Sequence, residues 1–228
     1  MSSGTEETVS RVGQMTFAKA SAGAVNAGLL TLLPLIGAPG RLLHPIPWLL
    51  FVGSAVILAT QPPLKLKELL ATKAEGRSGI GIMVSAILVT AAPVVEFGYR
   101  AELRPPFISA SFIGGVVILA AGVWLRMAAI VELGKFFTAV VAVQPGQTVI
   151  QTGPYRLIRH PSYSGALLAA VGGAMLCESV VAAALVVLTM IPAYIYRIAR
   201  EETWLIDQLG APYTEYRSRT KRLVPFVF

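Results

Sequence analysis

The sequence predicts an all-α integral membrane protein, with about five to six transmembrane helices that include a C-terminal helical hairpin. Three observations predict it. Only 14% of the 228 residues are charged and 55% are hydrophobic, with a mean hydropathy of +0.68. A soluble domain carries about 25% charged residues. The hydrophobic residues form runs that approach the ~20 residues needed to cross ~30 Å of hydrocarbon. The basic residues flank those runs.

Residues 1–15 (MSSGTEETVSRVGQM) read as a polar tail. They lack the short apolar core and small-residue cleavage site of a signal peptide, so the first apolar segment is expected to be retained. That segment covers about 16–36 and ends near Gly37 and Pro39. A second, shorter one covers 46–60, opened by Pro45 and Pro47 and closed by Pro62-Pro63. The third covers about 79–97, and the fourth about 108–131, after Pro105-Pro106. The stretch 164–196 would be ~48 Å long as a single helix. Cys177-Glu178-Ser179 interrupts it, and a carboxylate is costly in lipid unless it reaches water or a partner. The expectation is two short helices joined by a tight turn at Glu178.

Six crossings put both termini in the cytoplasm, at an inner or plasma membrane. The cytoplasmic side then holds fifteen basic residues, among them Lys65, Lys67, Lys73, Lys135 and Arg222. The other side holds only Arg41, Arg100 and Arg104. This bias follows the positive-inside rule, and a single crossing at 164–196 would break it. The same placement accounts for the net charge of +7. Basic residues at the headgroups attract anionic lipids, so membrane lipids are the expected partners and nucleic acid is not. One cysteine, Cys177, builds neither a disulfide framework nor a metal cluster, and no metal site is expected. The chain divides into the tail 1–15, N-terminal membrane helices over 16–107, and a C-terminal unit over 108–228.

Chemistry is expected in the two long polar stretches after the fourth run, 132–163 and 197–228, because loops held by a rigid scaffold carry function. The first reads Gly153-Pro154-Tyr155-Arg156-Leu157-Ile158-Arg159-His160-Pro161-Ser162-Tyr163-Ser164-Gly165. Gly153-Pro154 is a turn signal. Arg159-His160-Pro161 places a cation and an imidazole before a residue of fixed φ, at the mouth of a membrane helix. Tyr155 and Tyr163 add rings with polar tips. Such a cluster suits an anionic, ring-bearing ligand, although Arg, His and Tyr also populate plain headgroup belts. The second stretch reads Arg197-Ile198-Ala199-Arg200-Glu201-Glu202-Thr203-Trp204-Leu205, then Gly210-Ala211-Pro212-Tyr213 and Tyr216-Arg217. Arg197 and Glu201 stand four apart and share a helix face. Gly210 reads as a helix stop.

The order of these motifs resembles the isoprenylcysteine carboxyl methyltransferase family. The likeness rests on Gly-Pro-Tyr, Arg-His-Pro-Ser-Tyr, a hydrophobic hairpin, Arg-x-x-x-Glu-Glu-x-x-Leu, Gly-x-x-Tyr-x-x-Tyr and a final Leu-Val-Pro, over about residues 108–226. Related phospholipid N-methyltransferases share the outline. The resemblance implies S-adenosylmethionine as cofactor, in a cytoplasmic pocket closed by the C-terminal helix. It implies cofactor contacts at Gln147, Thr148, Val149, Ile150, Tyr155, Arg159, His160, Pro161, Ser162, Tyr163 and Glu201. It implies a substrate-side arginine at Arg197. A glutamine that family members use for the cofactor is replaced here by Ala142, with Gln144 two residues on.

Under that resemblance, Glu201 would neutralise the cofactor ammonium and Arg159 or His160 would face its carboxylate. Tyr155 or Tyr163 would pack on adenine or near the sulfonium. Glu202 points ~100° away from Glu201 on a helix and is expected to tolerate substitution. A carboxylate acceptor is ionised at neutral pH and needs no base, whereas an amine would need one, for which His160 is the candidate catalytic group. The acceptor is expected to be lipophilic or lipidated. Membrane sterol-type reductases using NADPH share an Arg-His-x-x-Tyr-like motif and form the rival class, but Ser162-Tyr163-Ser164-Gly165-Ala166 lacks their acidic residue. A non-catalytic lipid-binding protein is the third class, and it leaves the Arg197–Glu201 and Arg159–Tyr163 clusters without purpose.

Overall fold

In the computed structural model, residues 17–61, 76–100, 109–138 and 146–225 are described. The tail 1–15, the cations Lys65, Lys67, Lys73 and Arg104, and the Ala142–Gln144 pair lie outside them. The described residues form helices α1 (Phe17–Thr31), α2 (Pro45–Ala59), α3 (Gly76–Tyr99), α4 (Ala110–Leu133), α5 (Pro161–Leu176), α6 (Val180–Leu209) and α7 (Ala211–Arg219). Among them there is no β-strand, only an isolated parallel bridge between Ile158 and Lys221. The protein is an all-helical integral membrane protein. Segments of α3, α4 and α6 are long and apolar enough to cross a bilayer. The first apolar run ends as a helix at Thr31 and continues as 3-10 turns over Leu33–Leu35 and Pro39–Leu43.

The hairpin turns where Glu178 predicts it. Cys177 ends α5, Glu178 takes φ 49°, and the Ser179 hydroxyl caps α6 by accepting from Ala182 N at 2.9 Å. Arg100 secures the turn, donating to Glu178 O at 2.9 Å and pairing with Glu96 at 3.0 Å. The expectation of two short helices holds only for α5. Helix α6 runs for 30 residues and carries Arg197 and Glu201 on the same rod. Apolar periodicity fades after Tyr196, but nothing between Arg197 and Leu209 breaks a helix, so the backbone bonds continue to Gly210. Gly210, at φ 64°, is the stop. A π-turn over Val186–Met190 precedes Pro192. Proline has no N–H to donate, and a wider turn is one way a helix accommodates it.

Helices α4 and α5 approach closely because glycines face each other. A Cβ on Gly122 would lie 2.4 Å from Ala169 N, and one on Gly172 would lie 2.4 Å from Leu119 N. Small residues at such crossings let backbones pack without a hydrophobic driving force. The contact draws Arg126 of α4 onto the first turn of α5. Its Nη1 donates to the Ser162 carbonyl at 3.0 Å and to its hydroxyl at 2.9 Å.

Candidate active site

Pro161 starts α5 at a position where a missing N–H costs nothing. The chain before it is held by the C-terminal stretch after α7. Arg159 N donates to Lys221 O at 2.8 Å, and His160 N donates to Arg222 O at 3.0 Å. The Ser164 hydroxyl donates to Leu223 O at 2.6 Å, and Tyr216 OH donates to Tyr155 O at 2.7 Å. These bonds tie the Gly-Pro-Tyr and Arg-His-Pro segments to the chain end roughly sixty residues later.

Between them lies a polar cavity. Its wall includes Gln147, Thr148, Val149, Ile150, Tyr155, Arg159, His160, Ser162, Tyr163, Arg197 and Glu201. All the site residues expected from the sequence are therefore together except Pro161, which is buried at the helix start and does not line the cavity. Sequence reading missed Leu133, Phe136, Phe137, Thr138, Trp204, Leu205 and Leu209, and it assigned no role to Tyr213 and Tyr216, all of which line the cavity. Two signals were present. Trp204 and Leu205 follow Glu201 by three and four residues, on its face of the helix. Tyr213 and Tyr216 share a face in the same way. Burial pushes the Tyr155 and Tyr213 phenols above their usual range and Tyr216 to about 12, so all three are neutral donors.

The two adjacent glutamates have opposite environments. Glu201 is half-buried on the cavity wall and accepts from Tyr163 OH at 2.8 Å. Glu202 is 3% exposed. It accepts from Arg159 Nε at 2.7 Å and Arg222 Nε at 3.2 Å, lies 3.4 Å from His160 Nε2, and pairs with Arg217 at 3.6 Å. This environment argues against the expected tolerance of Glu202 to substitution. Its face of α6 meets the Arg-His-Pro segment and the C-terminal stretch, and three arginines converge on it. Arg159 also donates from Nη1 to Arg217 O at 3.0 Å and to Thr220 O, so most of its donors are committed within the protein.

A second cavity adjoins the first. It is apolar and lies among α2, α3, α4, α5 and α6. Leu50, Ile57, Ile82, Met83, Val89 and Met190 are part of its lining. Phe137, Thr138, Tyr163 and Arg197 belong to both cavities. The rings form a column across the junction. His160 stacks on Tyr163 at 5.6 Å and Tyr163 on Tyr194 at 4.8 Å. Arg197, 5% exposed, donates to the Ser78 hydroxyl of α3 at 3.0 Å. Arrangements of this kind bring a polar ligand and an apolar one to a shared, water-poor contact.

Residues 115–207 match the sequence model of the isoprenylcysteine carboxyl methyltransferase family. Protein-S-isoprenylcysteine O-methyltransferase A of Arabidopsis thaliana is 36% identical over 116 residues, 50% of this chain and 58% of that protein. A probable protein-S-isoprenylcysteine O-methyltransferase of Oryza sativa subsp. indica is 37% identical over 118 residues, 50% and 60% of the two chains. The Homo sapiens protein-S-isoprenylcysteine O-methyltransferase is 32% identical over 116 residues, 50% and 40%. The alignments thus span at most three-fifths of these curated relatives. A solved eukaryotic intramembrane Ras methyltransferase, an isoprenylcysteine carboxyl methyltransferase, superposes with a TM-score of 0.48 at 19% identity, over 91% of this chain and 74% of that one.

Proposed function

We infer from the match of residues 115–207 to the sequence model of the isoprenylcysteine carboxyl methyltransferase family that this chain transfers a methyl group from S-adenosylmethionine to a lipophilic, membrane-borne carboxylate, an isoprenylcysteine or a similar lipid acid. The observation that carries the reading is the meeting of a polar, ring-lined cavity and an apolar, helix-lined cavity at Tyr163 and Arg197. A charged cofactor and a lipid acceptor partition into different media, and a reaction between them needs such a junction.

The residues present fit the cofactor in kind. Glu201 offers a carboxylate to an ammonium, and Tyr155, Tyr163 and Trp204 offer ring faces to an adenine or a sulfonium. Gln147, Thr148, Val149, Ile150, His160 and Ser162 complete the proposed contacts, while Arg159 and Pro161 hold the wall. When bound, S-adenosylmethionine supplies a methyl on a cationic sulfur, which passes to a carboxylate oxygen as the C–S bond breaks, so that a cation and an anion become a neutral thioether and a neutral ester. The acceptor is already ionised at neutral pH, so no residue acts as base. Arg197 orients the carboxylate, and Tyr163 holds Glu201 in place. The family assignment favours this reading over NADPH reduction.

Calorimetric titration of the purified protein with S-adenosylmethionine and with NADPH tests it. Binding of the first alone, and label transfer from it to a prenylated thiol acid, is the expected result. Binding of NADPH alone sinks the reading. We also propose that both termini face the cytoplasm, which cysteine labelling at positions 41 and 104 from the outside tests. Labelling at positions 67 and 73 instead overturns it.

A further inference from the structure

Arg126 is the one cation in α4 and is 5% exposed. Its Nη1 is bonded only to Ser162, a neutral residue, and its Nε has no hydrogen-bond partner among the described residues. None of the ion pairs among the described residues includes it. It lines the apolar cavity together with Arg197, and no acidic residue is among the described residues lining that cavity. A guanidinium buried at membrane depth without a counterion is costly and marks a functional site by default. Anchoring α5 through Ser162 needs a donor there but not a formal charge.

Building on the methyl-transfer reading, we propose that Arg126 is a second acceptor-binding arginine, which with Arg197 holds the anionic head of the acceptor inside the apolar cavity. The two cations reach the cavity from different helices, α4 and α6. The carboxylate supplies the counterion that Arg126 lacks. In a low-dielectric cavity, a pair of cations selects strongly for an anion over a neutral isostere and against an ammonium. An amine acceptor is therefore excluded by the field of the cavity, independently of any base. The neutral ester formed by transfer takes the counterion away from Arg126, so substrate binds in preference to product.

The test uses S-farnesyl-N-acetylcysteine and its carboxamide as probes, bound to the full-length protein in lipid nanodiscs. S-Adenosylmethionine affinity and thermal unfolding are followed in parallel. The wild type is expected to prefer the acid at least tenfold. Arg126→Gln is expected to reduce that preference about tenfold, equivalent to ~1.4 kcal/mol, with cofactor affinity within twofold of wild type. Arg126→Lys, which keeps the charge, should keep most of the preference and decides the matter if the glutamine variant does not fold. An unchanged acid preference in a folded Arg126→Gln protein overturns the proposal. So does a parallel loss of cofactor affinity, which would assign Arg126 to the Ser162 wall alone. A wild type that binds cofactor but shows no acid preference overturns both this inference and the carboxylate acceptor, and a wild type that does not bind S-adenosylmethionine overturns the methyl-transfer reading itself.

Discussion

Arg159 on the wall of the polar cavity and Arg126 on the wall of the apolar one are almost equally deep, with the Arg159 side chain 7% exposed and Arg126 5% exposed. Their partners differ. Arg159 meets Glu202 at 2.7 Å and two backbone carbonyls. Arg126 meets a serine. In the polar region the charges cancel within the protein, which leaves Glu201 as the acidic group on the wall. In the apolar region the charge is left over. A buried arginine is therefore not one kind of evidence: Arg159 is neutralised inside the protein, whereas Arg126 is the group for which an acceptor anion is proposed.

The largest expected effect breaks the matched side. Glu202→Gln keeps the shape but removes the anion under three arginines. Breaking a buried pair costs ~3–5 kcal/mol, so the unfolding midpoint in denaturing detergent should fall sharply. A midpoint equal to wild type would show that the cluster is not structural. Arg197→Ala probes the junction of the two cavities and should slow transfer roughly tenfold to a hundredfold, ~1.5–3 kcal/mol, with cofactor affinity within a few fold. Loss of cofactor binding in that variant would assign Arg197 to the cofactor rather than to the acceptor. Glu201→Gln probes the wall of the polar cavity. It should weaken S-adenosylmethionine and its demethylated product about tenfold, ~1.4 kcal/mol, at near-normal stability. Equal affinity removes Glu201 from the site. Tyr163→Phe keeps the ring column and deletes one hydrogen bond, worth ~0.5–1.5 kcal/mol. Its cofactor affinity should drop by no more than about tenfold, and a larger loss would mean that the hydroxyl touches the ligand.

The sequence made the spans legible because lipid demands long apolar runs, and the hairpin because Glu178 has no place inside one. It made most of the polar cavity legible because Gln147–Tyr163 and Arg197–Glu201 are local patterns. It could not rank Glu201 against Glu202. That choice depends on Arg159, 43 residues away, and Arg222, 20 residues away, arriving on one face of α6. Arg126 was invisible for the same reason. Its partner Ser162 is 36 residues distant, and only the glycine-lined crossing of α4 and α5 brings them together. The sequence showed an apolar helix up to residue 196 and a helix face from Arg197 to a stop at Gly210, but not that the two are one helix, because the change from apolar to polar at Tyr196 hides a backbone that continues.

The bonds from Lys221, Arg222 and Leu223 back to Arg159, His160 and Ser164 also impose an order in time. During synthesis the membrane helices can insert and pack as they emerge. The wall of the polar cavity cannot close until residue 223 has left the ribosome and docked. A stage in which the apolar cavity has formed while the wall of the polar one is still open is the expected consequence.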